Sequence, residues 1–158
     1  MSLLDAASGL PHLRAQAGDS VIRQGEPGGR LLVLISGTVV VSRDEVAVAR
    51  IDRSGAVFGE MAVALGRSAT ATVTCETDAE FAVADDAEQF LAAHPAAAMD
   101  LVRTMATRLD GMTQYLVDVK RQYADRGDHL GMVDTVLDAL SHHQATPARP
   151  GSARDPDA

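Results

Sequence analysis

Five histidines, one cysteine and a scatter of carboxylates are the side chains here that metal, redox or nucleophilic chemistry would draw on. His12, His94, His129, His142 and His143 fall at spacings that match no common metal-ligand pattern, so no metal site is expected. Cys75 stands alone, which excludes a disulfide framework, a thiolate zinc cluster and a cysteine-ligated iron–sulfur cluster. Its place in an alternating Ala/Thr/Val stretch reads as a small buried hydrophobe, and a lone cysteine makes a reducing, cytoplasmic compartment the expectation. No Ser/His/Asp arrangement and no pair of carboxylates suggests turnover. The sequence therefore predicts no catalytic residue, no enzyme and no resident cofactor.

Composition narrows the partners. The chain has 158 residues and a net charge of −8, from 14 Lys plus Arg against 22 Asp plus Glu. That length is one domain with an appended helix, and that charge opposes a broad nucleic-acid or anionic-membrane surface. Aromatics make up 3% of residues with no Trp, so the core must be built from Val, Leu, Ile, Met and Ala, and a base-stacking platform is not expected. Met1 to Leu10 does not resemble a signal peptide, and the longest apolar run, Leu31 to Ile35, is far too short to span a bilayer, so no membrane insertion is expected.

Two textures must hold whatever site exists. After a short helix expected over Ser2 to Ser8, stopped by Gly9 and Pro11, the chain to about Asp85 reads as strand and turn. Val21-Ile22, Leu31 to Ile35, Thr38 to Val41, Val46 to Ile51, and Phe81 with Val83 are strand signals. In Ala69 to Cys75, period two sets Thr70, Thr72 and Thr74 on one face and Ala69, Ala71, Val73 and Cys75 on the other. Many short strands with Gly at the corners suggest an antiparallel barrel or jelly roll. Beyond Asp85 the texture is helical: a short helix over Asp86 to Ala93, a long one from Pro95, and an amphipathic segment after Gly127. Gln144 to Ala158 reads as disordered.

The segment Val21-Ile22-Arg23-Gln24-Gly25-Glu26-Pro27-Gly28-Gly29-Arg30-Leu31-Leu32-Val33-Leu34-Ile35-Ser36-Gly37 resembles the first signature of cyclic nucleotide-binding domains, in the spacing of its glycines and in its apolar block. Phe58-Gly59-Glu60-Met61-Ala62-Val63 resembles the start of that family's phosphate-binding cassette, and a Ser/Thr-Ala-rich strand follows it. The resemblance covers roughly residues 12 to 125. It implies an α+β chain: an antiparallel β-barrel of jelly-roll type over 1–94 with a short N-terminal helix, followed by long C-terminal α-helices. Those are a lid and dimerisation helix at 95–126 and an amphipathic helix at 128–143, with the tail at 144–158.

The resemblance also implies roles. Gly59 lets the backbone approach the ligand, Glu60 accepts from the ribose 2′-hydroxyl, and Met61 to Leu65 forms a short helix whose N–H groups face the cyclic phosphate, with Phe58 and Ala62 beside them. In the family an arginine followed by Ser, Thr or Ala and then Ala pairs with the phosphate. Arg67-Ser68-Ala69-Thr70-Ala71 has that form, but only six residues separate Arg67 from Glu60, a shorter loop than the family's. An ungapped alignment instead puts Ala69 at the arginine position. The two registers differ by two residues, so strand parity is the same in both and both stay open. Losing a charge-assisted contact there would cost about 2–5 kcal/mol in affinity.

The helix from Pro95 resembles the long helix of the catabolite-activator branch, where Met112 and Thr113 fall at positions touching the adenine. Val102, Met105, Leu109, Met112, Leu116, Val119 and Tyr123 recur as a heptad seam, which suggests a homodimer. Leu130, Val133, Leu137 and Leu140 form a face for a possible protein partner. The function implied is a stand-alone cyclic-nucleotide sensor binding cAMP or cGMP. One alternative is a degenerate domain that binds no nucleotide and serves dimerisation or docking. Another is a transcription-regulator relative acting through a partner, since only about thirty residues follow Arg126, too few and too poor in basic residues for a helix-turn-helix, and no direct DNA binding is expected.

Overall fold

A computed structural model describes residues 2–123 and 130–142. The expected tail over 144–158 and the outer ends of the two expected C-terminal helices, at 124–126, 128–129 and 143, lie outside the described residues. The described residues up to Arg103 form one compact unit, and those from Thr104 a second.

The first unit opens with helix α1 (Leu3–Ala6), set by a capping box: the Ser2 hydroxyl accepts from the Asp5 N–H, and the Asp5 carboxylate accepts from the Ser2 N–H. A 3-10 turn, Ala7–Gly9, ends it. Eight strands follow: β1 (His12–Ala15), β2 (Ser20–Ile22), β3 (Leu31–Ser36), β4 (Val39–Arg43), β5 (Val46–Ile51), β6 (Val57–Phe58), β7 (Thr72–Cys75) and β8 (Ala79–Ala84). They pair antiparallel in two four-stranded sheets, ordered β1-β8-β3-β6 and β2-β7-β4-β5. The expected jelly-roll fold is thus built as two sheets, not one closed barrel. The α-helices α2 (Glu60–Leu65), α3 (Ala87–Ala93), α4 (Pro95–Gln122) and α5 (Leu130–His142) complete the described chain.

Alternation places the core. Leu32 and Leu34 of β3, Phe81 and Val83 of β8, Val39 of β4, and Val73 and Cys75 of β7 meet between the sheets, where Phe58 and Phe81 pack edge to face at 6.3 Å. Leu31 and Val33 alternate to the opposite face of β3 and are also fully buried, and α1 contacts that strand. The Leu3 N–H donates to the Asp100 carboxylate at 3.3 Å, tying α1 to the first turns of α4, whose buried residues are Ala97 and Leu101. Asp86 caps α3 by accepting from the Gln89 N–H at 3.1 Å.

In the second unit no residue of 104–123 or 131–140 is buried. Along the heptad seam Leu109, Met112 and Tyr123 are exposed, and Met105, Leu116 and Val119 are half-buried; Val102, still in the first unit, is exposed. Val133, Leu137 and Leu140 of α5 are half-buried, and an ion pair between Lys120 and Asp134 joins α4 to α5. No helix among the described residues is long and apolar enough to cross a membrane.

Candidate functional site

Strand β6 delivers the chain to Gly59, which adopts a left-handed conformation at φ 89° and stands at the N-terminus of α2. Only glycine fits: besides the positive φ, a Cβ there would overlap the carbonyl oxygen of Arg30. The reversal turns Glu60 inward as the first residue of α2, and at 7% exposure it is the one buried charged residue among those described. Phe58 and Ala62, each 4% exposed, flank it inside the core, while Met61 points outward. A left-handed Gly66 closes the helix, and the Arg67 N–H donates to the Ala62 carbonyl at 3.0 Å.

The chain then reaches the two candidate anion-binding positions. Arg67 and Ser68 are exposed, and the Arg67 guanidinium has no hydrogen-bond or ion-pair partner among the described residues. Ala69 is buried in the core between the sheets, with Thr70 half-buried beside it. The Ala69 N–H donates to the Glu26 carbonyl and its own carbonyl accepts from the Gly25 N–H, both at 2.8 Å. A depression of about 280 Å³ lies on the Ala62, Val63 and Arg67 side of the segment, but Asp86 and Glu88 also line it, which makes it unsuited to a phosphate.

The structure therefore brings Phe58, Gly59, Glu60, Met61 and Ala62 together around one helix start and sets Arg67, Ser68, Ala69 and Thr70 just past its end. Met112 and Thr113 belong to the second unit. Met112 is exposed there, and the Thr113 hydroxyl donates to the Leu109 carbonyl at 2.9 Å within its own helix.

The remaining singled-out residues have structural partners. His12 Nδ1 lies 2.9 Å from a Glu80 carboxylate oxygen, and His94 Nδ1 lies 2.9 Å from the Phe90 carbonyl. His129 and His143 lie outside the described residues, and no cluster able to hold a metal is found among those described. Cys75 is 1% exposed, and burial pushes its thiol pKa up, with the Asp19 and Asp78 carboxylates adding to the shift. Sequence reasoning gave no part to the side chain of Gln24, which meets Asp44 20 residues further along; nothing local signals such a contact.

Comparison with known proteins gives this geometry a family. A family model described as the cyclic nucleotide-binding domain matches residues 12–94, just over half of the chain, and the chain belongs to that family. The cGMP-dependent protein kinase egl-4 of Caenorhabditis briggsae is 36% identical over 83 residues, which are 52% of this chain and 11% of the kinase. The Caenorhabditis elegans kinase of the same name matches equally, so the chain spans about a tenth of these curated relatives. Among solved structures, the Thermus thermophilus catabolite activator protein is similar at TM-score 0.61 and 20% identity, over 92% of this chain and 87% of that one. PKAR CBD2 with Sp-2Cl-cAMPS bound is similar at TM-score 0.54 and 22% identity, over 68% of this chain and 75% of that one.

Proposed function

We infer that the chain is a non-catalytic sensor of a purine cyclic nucleotide, cAMP or cGMP, working in the cytoplasm as a homodimer through the seam on α4. The buried carboxylate of Glu60, held at the start of α2 by the left-handed Gly59, carries this reading. A carboxylate in that place accepts hydrogen bonds from a ribose hydroxyl, while backbone N–H groups at the start of α2 suit the cyclic phosphate. The Arg67 guanidinium has freedom to turn toward that charge. Met112 and Thr113 are the residues of α4 proposed to meet the base, with the Thr113 hydroxyl exchanging its present helix carbonyl for the ligand. Binding acts as a signal only insofar as one arrangement of the chain binds the nucleotide better than another.

A second reading follows from Ala69. If that buried methyl marks the arginine position, the phosphate loses its charged partner and the domain serves as a dimerisation or docking module without ligand. The acidic chain favours neither direct DNA binding nor an anionic surface, so a regulatory output passes through a protein partner, with Val133, Leu137 and Leu140 of α5 as the candidate face.

Calorimetric titration with cAMP and cGMP separates the readings. Saturable binding of one of them, weakened about ten- to a hundredfold by Glu60→Ala, is the expected result. No heat with either nucleotide at millimolar concentration favours the docking module.

A further inference from the structure

We propose that Gln24 couples the cassette to the turn between β4 and β5, so that the state of one sets the order of the other. The proposal rests on the cassette reading above only for the identity of the ligand.

Three successive residues of the loop after β2 are fastened to the segment leaving the cassette. The Gln24 N–H donates to the Thr72 hydroxyl at 2.9 Å, and the Gly25 N–H and Glu26 carbonyl bond Ala69 on both its backbone groups. Further along the same loop, Gly28 sits so close to the cassette that an added Cβ would overlap the Arg67 carbonyl and lie 2.9 Å from the Ala62 Cβ. Loop and cassette exit thus move as one body.

The Gln24 side chain points the other way. Its Nε2 donates to Asp44 Oδ1 at 2.7 Å, and its Oε1 accepts from the Asp44 N–H at 2.8 Å. Asp44 and Glu45 form a two-residue turn between Arg43 and Val46, with φ of 51° and 66°. Two left-handed residues suit a tight hairpin, but the usual occupants are Asn and Gly, so this turn has an intrinsic tendency to open. The two bonds from Gln24 hold it closed. Beyond the turn, β5 is an edge strand with Val46 and Val48 each 65% exposed, so few other contacts fix its outer end. The β7–β4 ladder, in which Thr72 pairs with Ser42, ends just short of the turn, and the Gln24 side chain carries a shift of the cassette exit from there to Asp44 and the exposed start of β5. By linkage, whatever orders the hairpin changes the affinity of the cassette by the same factor.

Amide hydrogen exchange over residues 43–48, on the full chain, tests this without any ligand. Gln24→Ala should speed exchange of the Asp44 amide about fivefold or more. Gly28→Ala, which forces the loop off the cassette, should speed the same amides, and the two changes together should do no more than Gln24→Ala alone. Thr72→Val is a milder second perturbation if Gly28→Ala does not fold, and circular dichroism checks each variant. Additive effects, or no change at the hairpin, would overturn the coupling. Where calorimetry has shown cAMP or cGMP to bind, that nucleotide should slow hairpin exchange in the parent chain and not in Gln24→Ala. If neither binds, the sensor reading falls and the mutant cycle still decides the coupling.

Discussion

Gly59 lies under the carbonyl oxygen of Arg30 with no room between them for a β-carbon. Its left-handed backbone aims Glu60 inward, so the replacement Gly59→Ala strains the turn twice, through φ and through the overlap. We expect a loss of about 2–4 kcal/mol, read as a lower urea midpoint at unchanged slope. A midpoint equal to that of the parent chain would show that the cap is not fixed in this conformation.

The Arg67 side chain is exposed and makes no hydrogen bond or ion pair among the described residues. Arg67→Ala should leave stability within about 0.5 kcal/mol, and if the guanidinium turns to the phosphate it lowers nucleotide affinity by tenfold or more. Unchanged affinity would assign the phosphate to backbone N–H groups alone and favour the register that puts Ala69 at the arginine position.

Cys75 is a probe of opening. Its thiol is sealed in the core and its pKa is raised, chiefly by desolvation, so the folded state disfavours the thiolate. Modification by a thiol reagent at neutral pH should be slower than in urea by at least a hundredfold, and rapid labelling of the native chain would contradict the core placement. Because the folded pKa lies above the ordinary value, the stabilising contribution is complete at neutral pH. It is lost as pH rises through the raised value, so stability should decline on the alkaline side.

Gly111 sits in the interior of α4 and nothing approaches within 4 Å of where its Cβ would be. Glycine there weakens the helix without a packing reason, so Gly111→Ala should raise stability by about 0.5–1 kcal/mol. Sedimentation of the same variant and of Leu109→Glu tests the seam: the first should keep the assembly state and the second should dissociate a dimer.

Apolar runs and period-two alternation make β2, β3, β4, β5 and β8 legible in the sequence, whereas β7 begins at Thr72, three residues into the alternating stretch that starts at Ala69. Strands β1 and β6, with four and two residues, are too short to display a period and were not singled out. That the strands form two sheets depends on pairings between distant residues, which local pattern does not carry. The helix α2 was expected from Met61 and begins at Glu60, because the left-handed glycine allows the turn to start directly after it. The difference between Arg67 and Ala69 could not be read from parity, which is equal for both. It arises because residue 67 belongs to the turn that closes α2, whereas residue 69 is already bonded to the neighbouring loop and drawn into the core.

That placement of Ala69 sets a volume limit. The methyl belongs to the buried cluster between the two sheets, and a larger side chain must displace its neighbours there or reverse the segment. A substitution that adds an arginine there meets steric resistance before its charge can act. Stronger phosphate anchoring in this chain is therefore accessible through the exposed turn at 67–68 and closed off at 69, so the core restricts which changes of affinity single substitutions can reach.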